Sequence, residues 1–517
     1  MSNAANPYTL PRLDAKQIGI LIAISLAAAM TTFYTRLLST SLPDLRGVWG
    51  LSFDEGSMLY VAATAPQLLI APALPWLLTV FGFRRILVPA AAGFVFVSFI
   101  IPSLTGFLPL LAAHALLGMI LGCFVTATIL ITLKTLPPPW WIIAFALFTF
   151  RVSLATNTGV SLGALYTEFL GWEWIYWQGG IIMLLYFGLL RFSLPRGETD
   201  KELLENMDVS GMAFFCLGVT MVYIGMDQGE RMGWLDSGFI TVCVFGGMAL
   251  LMAFCWNETV VAKPWAPLTL FATRNIFIAI CMTGFYIFML SANSMLITQF
   301  LGTVRGLKPL QSGDALLLIA LLQIPATLLC IFCVRRVDAR LTGAFGFAVM
   351  SLACYQGTLI THDWVAADFI PMAILFAVGH PFVFLSLLAM CIASFAMETA
   401  PKLLAYVQFA RIAAPTFCGA ILTLFLRRQN DSHGTYLSQH LTGNDHIVSG
   451  FLESGRSLAD LQSMVVSEAS VLSIQDAFAL CFWVGMLALA ALAIMRPLKP
   501  TPLSPVPVMP NPAFNTK

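Results

Sequence analysis

About fourteen apolar stretches, each near 20 residues long, follow one another along the chain, and a helix of that length crosses a hydrocarbon core about 30 Å thick. They begin near Ile18, Ser57, Ile86, Phe107, Ile142, Ile175, Val209, Gly238, Ile276, Ala315, Gly343, Phe369, Leu403 and Ala477. Hydrophobic residues make up 59% of the chain and charged residues 10%, against about 25% charged in soluble domains. Because lipid offers the backbone no hydrogen-bond partners, these stretches must be helices. The sequence predicts an all-α polytopic membrane protein with about 14 transmembrane helices.

Two polar connections divide the predicted helices into groups of six, two and six. The connection at 191–208 follows the first six helices, and the one at 257–275 precedes the last six. The predicted domains are an N-terminal six-helix bundle at 1–200, two linker transmembrane helices at 201–262, and a C-terminal six-helix bundle at 263–517 with a long outer loop at 427–474.

Lysine and arginine are concentrated in alternate connections. Placing both termini inside puts the connections at 191–208 and 335–340 on the same side as Arg84 and Arg85. The positive-inside rule then predicts that both termini are cytoplasmic.

Three arginines lie inside predicted membrane segments, namely Arg36, Arg151 and Arg411. A charge at the bilayer centre costs roughly 2.5 to 3.5 kcal/mol on insertion scales, so such residues usually face the bundle interior and serve a function. We interpret them as candidate substrate-binding cations. The alternatives are structural, because Arg151 and Arg411 could bond carbonyls or hydroxyls and Arg36 could extend to the outer surface.

Two histidines, His114 and His380, are the other ionisable groups within the predicted helices, and an unperturbed imidazole has a pKa of about 6.5. We expect no aspartate or glutamate in the apolar core, so either imidazole is a candidate for proton coupling. The alternative proton carriers are carboxylates at helix ends, with Glu168 first among them: Asp54, Glu55, Glu168, Asp314 and Glu398. A packing histidine with satisfied hydrogen bonds is the structural alternative.

The two six-helix bundles carry matching features. Arg151 precedes Gly159 by the same interval at which Arg411 precedes Gly419, and each interior histidine falls in the fourth helix of its bundle. Repeated transporter halves place binding sites near the membrane midplane at their interface. We therefore expect a site between the bundles.

The sequence carries no signature of metal, cofactor or nucleotide chemistry. The 11 cysteines show neither CxxC pairs nor metal-ligand spacing, which predicts no disulfide and no metal site. A GxxxxGK[ST] phosphate-binding loop is absent, which argues against ATP hydrolysis in this chain. We expect no cofactor, no enzyme activity and no nucleic-acid partner. The remaining histidines, expected in solvated outer loops, are His362, His433, His440 and His446.

Several short motifs stand out along the chain. GVSLGALY at 159–166 is followed by WEWIY at 172–176, while DQGERMGWL occupies 227–235 and PLTLFATRNIF occupies 267–277. The connection between the second and third predicted helices keeps a glycine and two arginines. These motifs resemble the major facilitator superfamily, specifically its fourteen-helix drug:proton antiporter branch, similar to bacterial multidrug-resistance protein B.

The resemblance implies a major facilitator fold with a set of residues that control conformational change. That set is Gly82, Arg84, Arg85, Gly118, Gly122, Gly159 and Gly163. Ordinary close packing of small residues between membrane helices is the alternative role of its four helical glycines. The chain departs from the family pattern, since Pro75 and Thr79 stand in place of a glycine and an aspartate of the inner loop. His114 replaces an arginine of helix four, and Tyr34 stands at an aspartate position of helix one, which makes Tyr34 a further candidate in the substrate site.

The resemblance implies a proton-coupled secondary exporter of amphipathic organic compounds that works by alternating access in a bacterial inner membrane. The all-basic interior favours anionic or zwitterionic compounds, such as acidic drugs or siderophores. The expected partners are the small-molecule substrate, protons and the lipid bilayer, with a periplasmic adaptor and an outer-membrane channel as further candidates. We expect the part of the outer loop at 436–467 to contact the adaptor or to cap the outer cavity, because long loops in compact proteins are usually functional or disordered. The alternative function is that of a non-transporting membrane sensor or assembly partner, because several motif residues are changed.

Replacing Arg151 with alanine is expected to abolish transport of an anionic substrate while membrane expression stays near that of the parent. The charge lies too deep for easy solvation, so its loss should remove attraction for the anion rather than stability. Flux into reconstituted vesicles and membrane yield measure the two effects. Equal transport by variant and parent would reject a cationic site at this position.

Overall fold

The computed structural model shows helices as the regular elements of the part of the chain that it describes. The described residues are 11–195, 197, 199–205, 207–307, 309–394, 400–441 and 446–496, without the side chains of 151–153, 156, 157, 160, 164, 309–320, 400 and 447. The predictions for the side chains of Arg151, Asp314 and Glu398 therefore fall outside the described residues.

The first set of helices, here called the N-terminal group, covers residues 15–193. Its members are α1 (Ala15–Trp49), α2 (Phe53–Thr64), α3 (Gln67–Ile70), α4 (Leu74–Phe81), α5 (Phe83–Ile100), α6 (Phe107–Thr135), α7 (Pro138–Leu165) and α8 (Trp174–Ser193). The path from α2 to α4 bends by 54° between Ile70 and Leu74. Pro72 lies in this break, where a residue without a backbone N–H cannot continue the hydrogen-bond ladder.

A short helix and a helical hairpin follow. They are α9 (Lys201–Glu205), α10 (Val209–Gln228), α11 (Gly238–Thr241) and α12 (Gly247–Val260), with a π-helical turn at Val242–Gly246 joining α11 to α12. α10 packs against α12. We call residues 209–260 the middle hairpin.

The last set of helices, here called the C-terminal group, covers residues 274–494. Its members are α13 (Arg274–Thr303), α14 (Pro309–Val334), α15 (Ala339–Gly357), α16 (Ile370–Ser394), α17 (Ala400–Gln439), α18 (His446–Glu453) and α19 (Leu458–Ile494). α7 lies along α14 and also touches α16, so α7 is the wall that the N-terminal group presents to the C-terminal group.

Ten helical segments among the described residues are long and apolar enough to cross a membrane, or eleven when the bent path from α2 to α4 counts as one. This confirms an all-helical, multi-pass membrane architecture. The helices α7, α14 and α15, of 28, 26 and 19 residues, occupy three further places where the sequence predicts spans. The total of fourteen stays a prediction.

Polar side chains at the helix ends explain several helix boundaries. Asp14 caps α1 and Ser52 caps α2, each within a capping box that pairs the cap with the side chain three residues later. Such caps satisfy backbone N–H groups that the helix leaves without partners. Ser457 begins α19 in the same way.

The connections meet at two opposite ends of the bundle. At one end Arg84 donates to the Leu194 carbonyl, and Asn275 donates to that of Arg496. At the other end Arg305 donates to the carbonyl of His362. We call this second end the predicted outer end, because which end faces the cytoplasm stays a prediction.

Two apolar clusters hold the helices together. The larger cluster lies within the N-terminal and C-terminal groups. The smaller one joins both groups to the middle hairpin and includes Val61, Ala65, Leu68, Phe215, Val219, Ala405 and Ala413. The middle hairpin therefore covers the junction between the α2–α4 path and α17, which we call the hairpin seam.

Two of the predicted motif glycines bring helices into backbone contact. A Cβ atom added to Gly118 on α6 would lie 2.6 Å from the carbonyl oxygen of Ala63, and one on Gly122 would lie 2.8 Å from that of Gln67. Both glycines therefore let α6 pack directly on the α2–α4 path, as small residues do between membrane helices.

The predicted outer loop at 427–474 is wrong as a loop, because most of it is helical. α17 continues to Gln439 and α19 begins at Leu458, so two apolar helices extend past the point where their sequences turn polar. A helix satisfies its own backbone groups in water as well as in lipid, so polarity marked the membrane edge and not the helix end.

The histidines expected in that loop are corrected with it. His433 and His440 belong to α17, and His446 belongs to α18. The Nε2 atom of His433 lies 2.7 Å from Oδ2 of Asp476 on α19, so this side chain joins the two extended helices.

Replacing Gly118 with alanine is expected to lower the thermal unfolding midpoint by several degrees, because overpacking against backbone costs about 1 to 3 kcal/mol. Tryptophan fluorescence of the detergent-solubilised protein during heating measures the midpoint. Gly188 on α8 has open space around the position of an added Cβ, so Gly188→Ala is the matched control. An unchanged midpoint for Gly118→Ala would show that α6 can move away from α2 at no cost.

Candidate functional site

Arg36 reaches from the N-terminal group toward the C-terminal group. Its Nη2 atom lies 3.3 Å from Oγ of Ser294 on α13. The side chain passes over Gly159 of α7, where an added Cβ would lie 2.7 Å from Cγ of Arg36. Gly159 therefore makes room for an arginine that crosses between the groups, and Arg36 does not extend into the outer aqueous phase.

Arg411 stacks on an aromatic ring of the opposite group. Its guanidinium carbon lies 5.3 Å from the ring centre of Phe148 on α7, a distance at which a cation is attracted by the face of an aromatic ring. Phe148 in turn stacks on Phe384 of α16 at 5.7 Å, with 15° between the ring planes. A cation on α17 is thus linked to a pair of rings that spans both groups.

His380 borders the same pair of rings. Its ring centre lies 6.5 Å from that of Phe384, with 21° between the planes. Its Nδ1 atom lies 2.8 Å from the hydroxyl oxygen of Tyr286 on α13, and its Nε2 atom is buried without a hydrogen-bond partner. We call Arg411, Phe148, Phe384, His380 and Tyr286 the cation–aromatic site.

The cation–aromatic site and Arg36 lie at different depths along α7. Phe148 and Gly159 are 11 positions apart on this helix, which is about 16 Å at 1.5 Å per residue. Arg151, whose side chain is outside the described residues, has its backbone between them. Arg36 and Arg411 therefore both contact α7, at two depths along the interface of the two groups.

Polar atoms inside this region lack the partners that buried groups usually have. In the described part of the chain, Nε of Arg36, Nε of Arg411 and both amide atoms of Gln408 are buried and form no hydrogen bond. Neither arginine forms an ion pair with a carboxylate among the described residues. Because leaving such groups unpaired is costly, the arrangement suits a polar or anionic guest.

His114 has the contacts of a packing residue. Its Nδ1 atom lies 2.7 Å from the carbonyl oxygen of Leu110, and its Nε2 atom lies 3.0 Å from the hydroxyl oxygen of Tyr176 on α8. A carbonyl can only accept, so Nδ1 carries the proton in the neutral ring and Nε2 accepts from Tyr176. Both nitrogens are engaged within the N-terminal group.

Tyr34 and Glu168 do not join the cation–aromatic site. The Tyr34 ring is buried beside Phe94 and Tyr176, at 6.2 and 6.3 Å between ring centres, within the N-terminal group. Glu168 is exposed in the π-helical turn Tyr166–Leu170 after α7. Their assigned roles in substrate binding and proton coupling stay predictions with no contact to support them.

The other predicted motif residues lie at two places. A Cβ on Gly163 would lie 2.8 Å from Oγ of Ser41 on α1, so α7 approaches α1 closely there. Gly82 has φ of +82° at the start of α5, a conformation that glycine adopts without strain. Arg84 donates to the Leu194 carbonyl, and Arg85 bonds the Thr199 hydroxyl. The arginines thus attach the start of α5 to the connection after α8.

Two carboxylates at the ends of the middle hairpin's helices are covered by protein, although both lie outside the apolar core for which no aspartate or glutamate is expected. Asp208 is buried at the start of α10 and accepts from the amide of Asn257 at 3.0 Å. Both carboxylate oxygens of Glu258 are covered by protein, with Asp208 and Lys402 among the charges near it. The sequence placed these residues in polar connections, and the folded hairpin brings Asn257 of α12 onto Asp208.

The arrangement of two helix groups around an interface lined by cations is that of a transporter. The sequence profile of the Major Facilitator Superfamily matches residues 24–422, and the chain belongs to this superfamily. Solved structures agree on the fold: the proton:xylose symporter XylE superposes with a TM-score of 0.56 at 15% identity, covering 93% of this chain and 96% of its own.

Several relatives carry names that refer to resistance to drugs or to fatty acids. The chain is 21% identical to the multidrug export protein EmrB of Haemophilus influenzae, over 96% of this chain and 98% of that protein. It is 25% identical to the probable multidrug resistance protein EmrY of Escherichia coli, over 66% of each. The fatty acid resistance protein FarB of Neisseria gonorrhoeae is 20% identical, over 90% of this chain and 94% of FarB.

These similarities confirm the resemblance to multidrug-resistance transporters of the superfamily. They support a transport function with a small-molecule substrate in a multi-pass membrane protein. They also fit the expectation that the chain is not an enzyme, because these relatives are transporters.

Separate replacement of His114 and of His380 with glutamine is expected to change different properties of the protein. His114→Gln should lower the unfolding midpoint, because glutamine cannot reproduce both contacts of the ring, and should leave the pH dependence of transport unchanged. His380→Gln should make transport insensitive to an imposed pH gradient. Proteoliposome flux at several gradients measures this effect. Tyr176→Phe, which removes only the partner of His114, is the stability control.

Undiminished gradient dependence in His380→Gln would remove the coupling role from this residue. Glu258 would then be the next residue to test, because it is a covered carboxylate among the described residues.

Proposed function

We propose that the chain is a proton-coupled secondary exporter of anionic amphipathic compounds that works by alternating access. The observation that carries the proposal is the pair of guanidinium groups, Arg36 and Arg411, on opposite helix groups, without a carboxylate partner among the described residues. A permanent positive charge in a site of low dielectric attracts an anion strongly. The apolar body of an amphipath would lie against the rings of Phe148 and Phe384.

The name of one relative fits this substrate class. FarB is a fatty acid resistance protein, and a fatty acid is an anionic amphipath. Substrate movement between the two sides would follow from rocking of the N-terminal and C-terminal groups about the site, as in other transporters built from repeated halves. Export from a bacterial cytoplasm, with both termini inside, completes this proposal.

Proton coupling is proposed to act through His380. This residue borders the cation–aromatic site, whereas both ring nitrogens of His114 have partners within one group. A protonated His380 would attract the same anion as Arg411, so charge alone favours simultaneous binding of the proton and the anion. Exchange of one for the other therefore requires that the substrate body and the protonated ring compete for the space beside Phe384.

The extended ends of α17 and α19 are the proposed docking surface for a periplasmic adaptor, with an outer-membrane channel beyond it. Residues 431, 432, 435 and 436 of α17 and 458–460 of α19 are exposed. A rigid helical pair that stands beyond the membrane offers a partner more defined contacts than a flexible loop would. Adaptor pull-down with a protein shortened in both helices tests this part of the proposal.

Arg411→Gln is expected to lower the transport of anionic amphipaths at least tenfold, because a hydrogen bond to a charged group contributes about 1.5 to 3 kcal/mol. Proteoliposome flux measures transport of a bile-salt sulfonate and an aryl carboxylate, each with a cation of similar apolar body. Arg274→Gln is the matched control, because Arg274 is exposed at the start of α13.

Faster transport of the cations than of the anions by the parent protein would contradict the proposed substrate class. The same flux experiment is run with an inward and with an outward proton gradient. Export that is driven only by an inward proton gradient supports exchange, and export driven only by the opposite gradient contradicts it.

A further inference from the structure

The loop that joins the two arms of the middle hairpin contacts both helix groups at the predicted outer end. Arg231 in this loop forms an ion pair with Asp54 at the start of α2. Glu230, its neighbour, forms an ion pair with Arg427 on α17. Two consecutive residues of opposite charge therefore bind the N-terminal group and the C-terminal group.

Further hydrogen bonds hold the loop in place. Gln228 accepts from Nε of Arg231 at 2.8 Å and from the Ser57 hydroxyl of α2 at 3.0 Å. Trp234 donates from Nε1 to Glu230 at 2.9 Å. Trp234 and Arg427 together keep the pKa of Glu230 below its usual range, so this carboxylate is charged at neutral pH.

The backbone of the loop is strained where it carries this tryptophan. Trp234 has φ of +51°, and in the part of the chain that the structure describes every other residue with positive φ is a glycine. A bulky side chain adopts this region only when its surroundings impose it. Gly229 allows the ring to lie close, since an added Cβ would be 2.6 Å from a Trp234 ring atom. In this conformation the Trp234 indole N–H reaches the Glu230 carboxylate.

The middle hairpin also bridges the groups deeper in the membrane. The buried hydroxyl of Tyr223 on α10 interacts with the hydroxyls of Thr64 on α2 and Thr416 on α17. Phe215, farther along α10, contacts the rings of Tyr406 and Phe409 of α17, each at 5.7 Å between ring centres. The hairpin seam is thus bridged at its outer end by charges and at deeper levels by a hydroxyl and by rings.

The outer ion pairs and the deeper ring contacts differ in the free energy needed to separate them. The Asp54 and Arg427 side chains are 69% and 67% exposed, so water can replace their ion pairs at little cost. The Phe215 side chain is buried in the apolar hairpin seam, so water cannot replace its ring contacts in the same way. In a protein whose two groups rock against each other, the outer contacts are those that must break and re-form.

We propose that the Gln228–Trp234 loop is a releasable clasp that holds α2 and α17 together at the predicted outer end. Its two contacts are the ion pair of Glu230 with Arg427 on α17 and that of Arg231 with Asp54 on α2. The clasp is closed in this structure, and its release lets the outer end of the hairpin seam open. The two helices between the repeated bundles thereby take part in the conformational cycle instead of acting as a passive connection.

Hydrogen–deuterium exchange of the full-length protein in detergent tests the clasp without any substrate, so its outcome is independent of the proposed transport function. Glu230→Gln removes the negative charge that pairs with Arg427 on α17 and keeps an oxygen that can accept from Trp234. If the clasp is shared, exchange in the segment 52–64 of α2 should nevertheless rise about threefold, the size of effect that one exposed ion pair supports. Exchange in the segment 83–100 of α5 should stay constant and reports overall stability.

Two controls make the test specific. Asp476→Asn breaks a contact at the same end but within the C-terminal group, between α17 and α19, and should leave exchange in 52–64 unchanged. Arg427→Gln removes the same ion pair from the α17 side and leaves the contact between Glu230 and Trp234 in place, so it should raise exchange in 52–64 as Glu230→Gln does. Should a variant fail to fold, 0.5 M salt added to the parent is the substitute, since salt screens exposed charges and should raise exchange in 52–64.

Parental exchange in α2 of Glu230→Gln, or of Arg427→Gln, would overturn the clasp. Each result would mean that the two ion pairs are independent surface contacts.

Discussion

A guanidinium group held inside an apolar helix bundle without a carboxylate partner is the electrostatic problem around which this structure is arranged. Arg36 lies on one helix group and Arg411 on the other. In place of a carboxylate, Arg36 contacts a serine hydroxyl at 3.3 Å and Arg411 contacts the face of a phenylalanine ring. Neither substitute neutralises the charge, whereas the ion pairs of the middle hairpin do neutralise theirs. The charges of Arg36 and Arg411 therefore remain available to an anion at the interface where the two helix groups meet.

The two junctions between the helix groups are chemically different. Along α7 the junction contains cations and stacked rings, and glycine at position 159 allows the Arg36 side chain to cross it. At the hairpin seam the junction contains apolar rings, a bridging tyrosine hydroxyl, and complementary charges only at the outer end. An anion bound at α7 would change the charge balance there, while the exposed ion pairs at the outer end of the hairpin seam can exchange their partners for water at little cost. The first junction is suited to recognition and the second to motion.

The sequence was sufficient for the helical membrane architecture, the superfamily and the basic residues of the interior, because each depends on composition or local pattern. It could not identify Phe148 and Phe384 as partners of Arg411 and His380, since one phenylalanine among 40 carries no local sign of a long-range contact. It misjudged the segment 427–474, because polarity reports the surrounding solvent and not the backbone conformation. It placed Glu258 in a connection, because burial by a neighbouring helix group is a tertiary property.

The two histidines illustrate the same limit at a single site. Both fall in the fourth helix of their group and both are buried, so sequence and position treat them as equivalent. Their surroundings are not equivalent: the His114 contacts to Leu110 and Tyr176 stay within one rigid group, whereas His380 packs beside rings that come from both. A group that senses the relative position of two bodies must touch their interface. Proton binding at His114 would act within one bundle, whereas proton binding at His380 would act on the surface where the bundles meet, and for this reason the coupling role is proposed for His380.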